Sequence, residues 1–190
     1  LYLDTGAMYR CVAFSILEHK TDISNQDSLT KFLKNFEIDL KKTNNNLSFF
    51  VNGKNVTNKI RKSDVSQKVS EVSAIPIIRE YMVRIQRSFT KNNSCVMEGR
   101  DIGTVVLPNA DYKIYLDAAV LTRARRRHIE QASDNPELTL QSVVADISQR
   151  DKIDTQRTES PLKASADAIK IRTDNLTVNE VVESIVEIVE

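Results

Sequence analysis

Apolar residues recur along this chain at two spacings, every third or fourth position in some segments, and every second position or in short runs in others. The first spacing predicts amphipathic helices and the second predicts strands. Helices are expected at about residues 5–19, 25–36, 63–73, 76–89, 120–131, 140–151 and 178–189. Short strands are expected at about residues 1–3, 38–40, 47–51, 54–57, 95–97, 112–116 and 168–171. This alternation predicts an α/β protein with a mainly parallel sheet and helices on both faces.

One segment departs from the alternation of strands and helices. Three short strands follow one another within residues 38–58, where Asn52-Gly53 indicates a hairpin turn. The polar tract 41–46 is expected to link the first two of them. We therefore expect a small β insertion that is separate from the main sheet.

Several predicted helices begin at residues suited to that position. Serine, threonine and aspartate accept hydrogen bonds from the first backbone N–H groups of a helix, and proline fits its first turn. Glu180, three residues after a threonine, would complete a capping box for the last helix. The expected capping residues are Asp4 or Thr5, Ser63 and Thr177, with Pro76 in the first turn of the fourth helix.

Composition narrows the class of protein. The chain has 190 residues, 41% of them hydrophobic and 28% charged, with a formal net charge of +1. This length suits a single domain over 1–190. No apolar run approaches the roughly 20 residues of a membrane span, no signal-peptide pattern opens the chain, and two cysteines are too few for a disulfide framework. We expect a cytoplasmic protein, monomeric by default, with no membrane or nucleic-acid partner.

The first candidate for chemistry is the turn after the predicted strand 95–97, a short apolar run that is expected to be a buried strand. Two glycines there bracket Arg100-Asp101. In open α/β sheets, ligands bind at the carboxyl ends of strands. A charge buried without a partner would cost several kcal/mol, so each is expected to face a ligand, a partner or water. The spacing leaves two interpretations open, a ligand-binding pair and a structural bridge between the two residues across the turn.

Other arginines have equally open interpretations. Arg10 lies near the start of the first helix, where it could reach an anion or simply face solvent. Arg79 borders the apolar stripe of its helix, which suits a half-buried ligand contact or a surface arginine with a buried stem. Arg123, Arg126 and Arg127 share a helix face that could meet phosphate or be a solvated basic surface.

A further stripe of alternating charge begins near the end of the sixth predicted helix. Arg150, Asp154 and Arg157 recur at intervals of four and three residues. A ligand-binding face and an exposed helix with weak surface ion pairs both fit this pattern.

Two segments together resemble one protein family. Gly99–Val106 has the sequence GRDIGTVV and Leu3–Arg10 has the sequence LDTGAMYR, both similar to signatures of bacterial cytidylate kinases. The resemblance implies a P-loop nucleoside monophosphate kinase fold and phosphorylation of CMP or dCMP by ATP with Mg²⁺. It also implies an insertion subdomain on the monophosphate side at about 38–75 and a helical lid at about 123–160.

The resemblance implies a role for each site residue. Thr5, Tyr9 and Arg10 would line the acceptor site, and Arg100 would join Arg10 at the acceptor phosphate. Cytosine would be recognised by Ser70, Arg79 and Asp101. In the lid, Asp154 would lie near the ribose, and Arg150 and Arg157, catalytic together with Arg100, would neutralise the transferring phosphoryl group. Arg123 and Arg127 are weaker candidates for ATP binding, and the resemblance assigns no metal ligands.

One expected motif is missing from the 190 residues. A kinase of this type needs the phosphate-binding loop G-x-x-x-x-G-K-S/T. The chain's four glycines do not form it, and its single Gly-Lys pair, Gly53-Lys54, lies in the predicted hairpin. We expect the sequence to be N-terminally incomplete and, taken alone, to have little phosphotransferase activity. The alternative is a non-catalytic nucleotide- or RNA-binding module of the same fold.

Overall fold

The computed structural model describes residues 1–43, 46–91, 94–133 and 135–190. They form two compact units, residues 1–102 and residues 103–190, and each unit is described by itself. The division of 1–190 into one kinase domain with an insertion at 38–75 and a lid at 123–160 stays a prediction.

The first unit contains a parallel strand pair, a small antiparallel sheet and four helices. The parallel pair consists of β1 (Tyr2–Asp4) and β5 (Val96–Glu98), with Tyr2 opposite Val96 and Asp4 opposite Glu98. The three strands of the β insertion are antiparallel. The elements in chain order are β1 (Tyr2–Asp4), α1 (Thr5–His19), α2 (Gln26–Lys34), β2 (Ile38–Thr43), β3 (Asn46–Val51), β4 (Lys54–Asn55), a 3-10 turn (Lys59–Arg61), α3 (Ser63–Ala74), α4 (Pro76–Thr90) and β5 (Val96–Glu98).

Helix α1 is the centre of this unit. It begins where the Asp4 side chain accepts a hydrogen bond from Ala7 N at 2.9 Å, as predicted, and it ends at His19, before Lys20, whose backbone is left-handed with φ 50°. Its buried residues belong to one apolar cluster with residues of α2, α3, α4 and the insertion sheet. Burial raises the pKa of Cys11 to about 12, so this thiol is a small apolar group of the core.

The β insertion is confirmed, with changes at the ends of its strands: β2 and β3 are longer than predicted, and β4 ends at Asn55 rather than at residue 57. Asn52 and Gly53 both have positive φ, 48° and 76°, as a two-residue hairpin turn with two left-handed positions requires. The prediction that the polar tract 41–46 links two strands is wrong at its ends, because β2 continues to Thr43 and β3 starts at Asn46. The Lys41 ammonium lies 4.8 Å from the centre of the Phe50 ring, and this cation–π contact joins β2 to β3. Residues 44 and 45 lie outside the described residues.

Two further expectations for this unit are wrong. Ser63 is the first residue of α3 rather than its cap; Lys62 has the cap position, without a side-chain hydrogen bond. The strand before Arg100 is not buried: Val96 is 70% exposed. The reason is that β5 pairs with β1 in a two-stranded sheet of the described residues.

The second unit has one parallel strand pair and three helices. The pair consists of β6 (Ile114–Asp117) and β7 (Ile169–Arg172), in which Ile114 lies opposite Ile169. The predicted Thr177–Glu180 capping box is present at the start of α7. After a π-helical turn at Ile102–Val106, the elements are β6 (Ile114–Asp117), α5 (Val120–Gln131), α6 (Leu140–Gln156), β7 (Ile169–Arg172) and α7 (Val178–Val189).

Apolar packing in this unit is slight. Ala124, Val143 and Ile147 are the buried residues of its α5–α6 cluster. The apolar stripe predicted for α7 lies largely at the surface, since Val178 is 79% and Val182 is 52% exposed. Among the residues that the structure describes, no helix is long and apolar enough to cross a membrane.

Candidate active site

A buried ion pair links α4 to the turn after β5. The Arg79 guanidinium donates from Nη2 to the Asp101 carboxylate, and the side chains of the two residues are only 4% and 6% exposed. The structure therefore brings Arg79 and Asp101 together, as the resemblance implies. Arg79 is neither half-buried nor at the surface, and its bond to Asp101 spans two elements rather than the Arg100–Asp101 turn. Truncating one partner of such a pair leaves a buried charge, which is strongly destabilising.

The other contacts of Arg79 fix the plane of its guanidinium. Nη1 donates to the carbonyl of Ser73 at 2.8 Å, and the guanidinium carbon lies 5.5 Å from the centre of the Tyr9 ring. Within the described residues, Arg79 Nε is buried and has no hydrogen-bond partner. A buried donor left without an acceptor costs about 1–3 kcal/mol. An acceptor atom of a ligand at Nε would remove that cost.

Ser70 is linked to this pair through Ser73, near the end of α3. It is buried, and its carbonyl accepts a hydrogen bond from the Ser73 hydroxyl at 3.1 Å. Ser73 thus connects Ser70 to Arg79, because its own carbonyl binds Nη1. The end of α3 thus contacts Arg79 through Ser73, and Ser70 supports Ser73.

Thr5 fixes the turn that carries Arg100 and Asp101. Its hydroxyl donates to the Glu98 carbonyl at 2.7 Å, across the carboxyl ends of β1 and β5. A Cβ atom at Gly99 would lie 2.3 Å from Thr5 Oγ1, so this position has no room for a side chain. Close packing against Thr5 is thus the physical reason for the first glycine of the turn.

Arg10 and Arg100, the two residues implied at the acceptor phosphate, differ in their surroundings. Arg10 is half-buried and donates from Nη1 to Ser66 Oγ at 2.6 Å and to the Ile60 carbonyl at 3.4 Å. Arg100 is exposed.

In the second unit, one of the two implied ATP-binding residues is in an ion pair. Arg123 bonds Asp151 at 2.7 Å and the Ala118 carbonyl at 3.0 Å, and its side chain is 35% exposed. Arg127 is half-buried on the same helix. Arg123 thus joins α5 to α6 and to the end of β6.

Two of the three residues that the resemblance assigns to a lid are less exposed than residues of a surface helix. Asp154 and Arg157 form an ion pair at 3.2 Å with side chains 7% and 6% exposed. Arg157 Nε also donates to the Ser160 carbonyl at 2.7 Å. The interpretation as an exposed, salt-bridged helix is wrong for these two residues, because α6 ends at Gln156 and the chain after it folds back on Asp154, whose carbonyl accepts from Leu162 N. Arg150 is half-buried.

An aspartate that the sequence did not single out caps α5. Asp174 accepts from Ala119 N at 2.8 Å and from Arg172 Nε at 2.6 Å. These hydrogen bonds, first that of Ala119 and then that of Arg172, lower the Asp174 pKa to about 2.

Sequence patterns also missed the residues that orient the arginines. Ser66 and Ser73 contact Arg10 and Arg79, and the carbonyls of Thr173 and Leu176 accept from Arg126. Backbone carbonyls carry no residue-type signal. Ser66 lies one helical turn before Ser70, which was the one available hint.

The comparisons with known proteins agree with one another. A family model described as cytidylate kinase matches residues 1–190. A cytidylate kinase of Geobacillus sp. (strain WCH70) is 46% identical over 189 residues, which cover 100% of this chain and 84% of that protein. Cytidylate kinases of Bacillus cereus (strain B4264) and Bacillus thuringiensis (strain Al Hakam) are 43% and 42% identical with the same coverage. Because both the family model and these similarities extend over the whole sequence, the chain belongs to the cytidylate kinase family, whose fold is that of the P-loop nucleoside monophosphate kinases.

Proposed function

We propose that this protein is a nucleoside monophosphate kinase that transfers the γ-phosphoryl group of ATP to CMP or dCMP. An oxygen of the acceptor phosphate bonds to the γ-phosphorus, the bond to the β–γ bridging oxygen breaks, and ADP and CDP or dCDP are formed. The family match over residues 1–190 supports the reaction class, and the buried Arg79–Asp101 pair is the observation that supports a cytosine acceptor. The alternative of a non-catalytic binding module gains no support from relatives named cytidylate kinase.

The proposed base site matches the hydrogen-bonding edge of cytosine. The base offers an exocyclic amine as donor and N3 and O2 as acceptors, whereas uracil has an acceptor and a donor in place of the first two. Asp101, a carboxylate, can only accept when ionised, so it suits the amine. Arg79 can only donate, which suits N3 or O2, and within the described residues its buried Nε has no hydrogen-bond partner. Ser70 is linked to Arg79 through Ser73, and we assign it the remaining contact to the base.

Arginines supply the charge that the phosphates require. We assign the 5′-phosphate of the acceptor to Arg10 and Arg100, with Thr5 and Tyr9 in the wall of the acceptor site. Phosphoryl transfer depends on positioning and on stabilising charge more than on covalent catalysis. A site with arginines and no histidine nucleophile fits this reaction.

Residues of the second unit are assigned through the family resemblance. Arg150 and Arg157 would stabilise the transferring phosphoryl group, Asp154 would accept a hydrogen bond from the ribose, and Arg123 and Arg127 would contact ATP. The ion pair of Arg157 with Asp154 supports a shared position for these two side chains. As members of a lid they would exclude water from the reaction.

Mg²⁺ belongs to the reaction by resemblance, and the described residues do not provide a cage for it. Within the residues that the structure describes, no group of three or more His, Cys, Asp or Glu side chains is placed to hold a metal ion. Mg²⁺ in kinases is usually bound by substrate phosphates with one or two carboxylates. A monomer in the cytoplasm is the proposed state and location.

The acceptor preference can be tested by thermal protection. Binding to the native state raises stability by about 2.7 kcal/mol when the ligand is at 100 times its Kd. We expect CMP to raise the melting temperature more than UMP or AMP at equal concentration, measured by scanning fluorimetry. Equal shifts with the three nucleotides would contradict a cytosine site.

Asp101→Asn sharpens this test, because the amide can still accept from Arg79 but also donate to the uracil carbonyl. The variant should lose the preference for CMP or prefer UMP. Asp27→Asn, at an exposed position of α2, is the matched control and should keep the wild-type order. An unchanged preference in Asp101→Asn would remove Asp101 from base recognition.

A further inference from the structure

The two hydrogen bonds of the Arg10 side chain that are described above go to residues outside α1. Ser66 of α3 and the carbonyl of Ile60 in the 3-10 turn both accept from Nη1, at 2.6 Å and 3.4 Å. We call these two acceptors the Arg10 cradle. Both accept from the same nitrogen of the guanidinium, Nη1, so they hold that end of the side chain in place.

The Ser66 hydroxyl is oriented as an acceptor by its own helix. Ser66 Oγ donates to the Lys62 carbonyl at 3.0 Å, which uses the only proton of the hydroxyl. Arg10 can only donate, so the lone pairs of Ser66 Oγ meet its N–H at 2.6 Å in a charge-assisted hydrogen bond. The chain of hydrogen bonds therefore runs in one direction, from Arg10 to Ser66 and from Ser66 to the Lys62 carbonyl.

Ile60 is as firmly placed as Ser66. Its side chain is 1% exposed in the main apolar cluster, and its backbone N donates to the Val56 carbonyl at 3.0 Å. The preceding Lys59 ammonium lies 5.6 Å from the centre of the Phe14 ring on α1. The turn that follows the insertion sheet therefore contacts α1 both at Phe14 and at Arg10.

We propose that Ser66, together with the Ile60 carbonyl, is a positioning residue that directs the Arg10 guanidinium toward the 5′-phosphate of the acceptor. This inference rests on the proposed function, which assigns that phosphate to Arg10. It also connects the β insertion to phosphate recognition, because the turn that follows the insertion sheet supplies one of the two acceptors. Arginine loses less binding energy to ordering when its side chain is already oriented.

The test compares a ligand that has the phosphate with one that lacks it. Titration calorimetry measures the affinity of the full chain for CMP and for cytidine. Ser66→Ala should weaken CMP binding about tenfold, the size expected for one hydrogen bond to a charged group, and change cytidine binding less than about twofold. Ser66→Thr keeps the hydroxyl and should restore CMP binding.

Matched variants separate positioning from stability. Ser184→Ala removes the same kind of bond, from a serine hydroxyl to the carbonyl four residues earlier, at 2.8 Å in α7, and should leave both affinities unchanged. Arg10→Ala should weaken CMP binding more than Ser66→Ala does, and the double variant should bind CMP as Arg10→Ala does, because Ser66 acts only through Arg10.

Each result decides between the inference and its premise. If Ser66→Ala weakens CMP and cytidine equally, or leaves CMP affinity unchanged while Arg10→Ala lowers it, the positioning role is wrong and the phosphate role of Arg10 stands. If Arg10→Ala binds CMP normally, the assignment of Arg10 in the proposed function is wrong and the inference falls with it.

Discussion

The two units differ in how they place charged side chains. In residues 1–102, a large apolar cluster surrounds α1, and the Arg79–Asp101 pair is nearly inaccessible beside it. In residues 103–190, the apolar cluster of α5 and α6 has three buried residues, and the Arg123–Asp151 pair remains a quarter to a third exposed. The second unit also has a buried pair, Asp154–Arg157, but its members lie three residues apart in the chain, whereas Arg79–Asp101 joins two separate elements. The proposed discrimination between bases is assigned to the first unit for that reason.

Backbone carbonyls do much of the positioning in both units. Arg79 binds the carbonyl of Ser73, and Arg10 that of Ile60. In the second unit, Arg126 binds the carbonyl of Leu176 at 3.3 Å and Arg157 that of Ser160. A guanidinium has five donors in a fixed plane, so carbonyls can orient it while other donors meet a ligand.

The largest expected effect comes from opening the buried pair. Asp101→Leu leaves the Arg79 guanidinium buried with its carboxylate partner removed and should lower the free energy of unfolding by about 3–5 kcal/mol, measured by urea denaturation. The matched change in the second unit, Asp151→Leu, should cost less than about 1 kcal/mol, because its pair is partly solvated. Equal costs would erase the contrast between the units.

A double variant separates stability from binding. Arg79→Met combined with Asp101→Leu replaces both charges by apolar groups and should recover most of the lost stability. It should still lack the thermal protection by CMP. Recovery of CMP protection in this variant would contradict the proposed base site.

The packing difference predicts a smaller effect. Ile78 is fully buried in the first cluster and Ile147 is 7% exposed in the second. Substitution of a buried isoleucine by alanine costs about 2–5 kcal/mol, depending on how well the site can collapse. We expect Ile78→Ala near the upper end and Ile147→Ala near the lower end in urea unfolding. The reverse order would show that the second unit is the more tightly packed.

The smallest expected effect is a pH dependence confined to the second unit. Asp174 has a pKa of about 2 in the folded chain, below its ordinary value of 3.8, because the Ala119 N–H and then Arg172 donate to its carboxylate. A lowered folded pKa stabilises the fold above the ordinary pKa, and this contribution is lost as the pH falls from about 4 through about 2. Urea midpoints across that range should decline less in Asp174→Asn than in the wild type. An identical decline in both would remove Asp174 as the cause.

Much of the secondary structure could be predicted from the sequence because its signals are local. α5 begins and ends at the predicted residues, and α1 was predicted from its apolar spacing and the Asp4 cap. The hairpin at Asn52-Gly53 has the positive φ angles that its residues favour. The errors, Ser63 as a cap and a buried β5, concern features that depend on how neighbouring elements pack.

The candidate site was predicted as a set of residues and not as a set of contacts. The motif around Arg100 drew attention to Asp101, yet its partner is Arg79, and the acceptors of Arg10 include a serine and a carbonyl. Spacing cannot identify such partners, because they meet only after α1, α3 and α4 have packed together.

The sequence by itself determined where helices and hairpin form and which family the chain resembles, because capping, turn chemistry and short motifs depend on neighbouring residues. Tertiary structure alone decided that Arg79 and Asp101 are buried together and that Ser66 faces Arg10. Burial and partner choice depend on which surfaces exclude water, and that is settled only when residues distant in the chain come into contact.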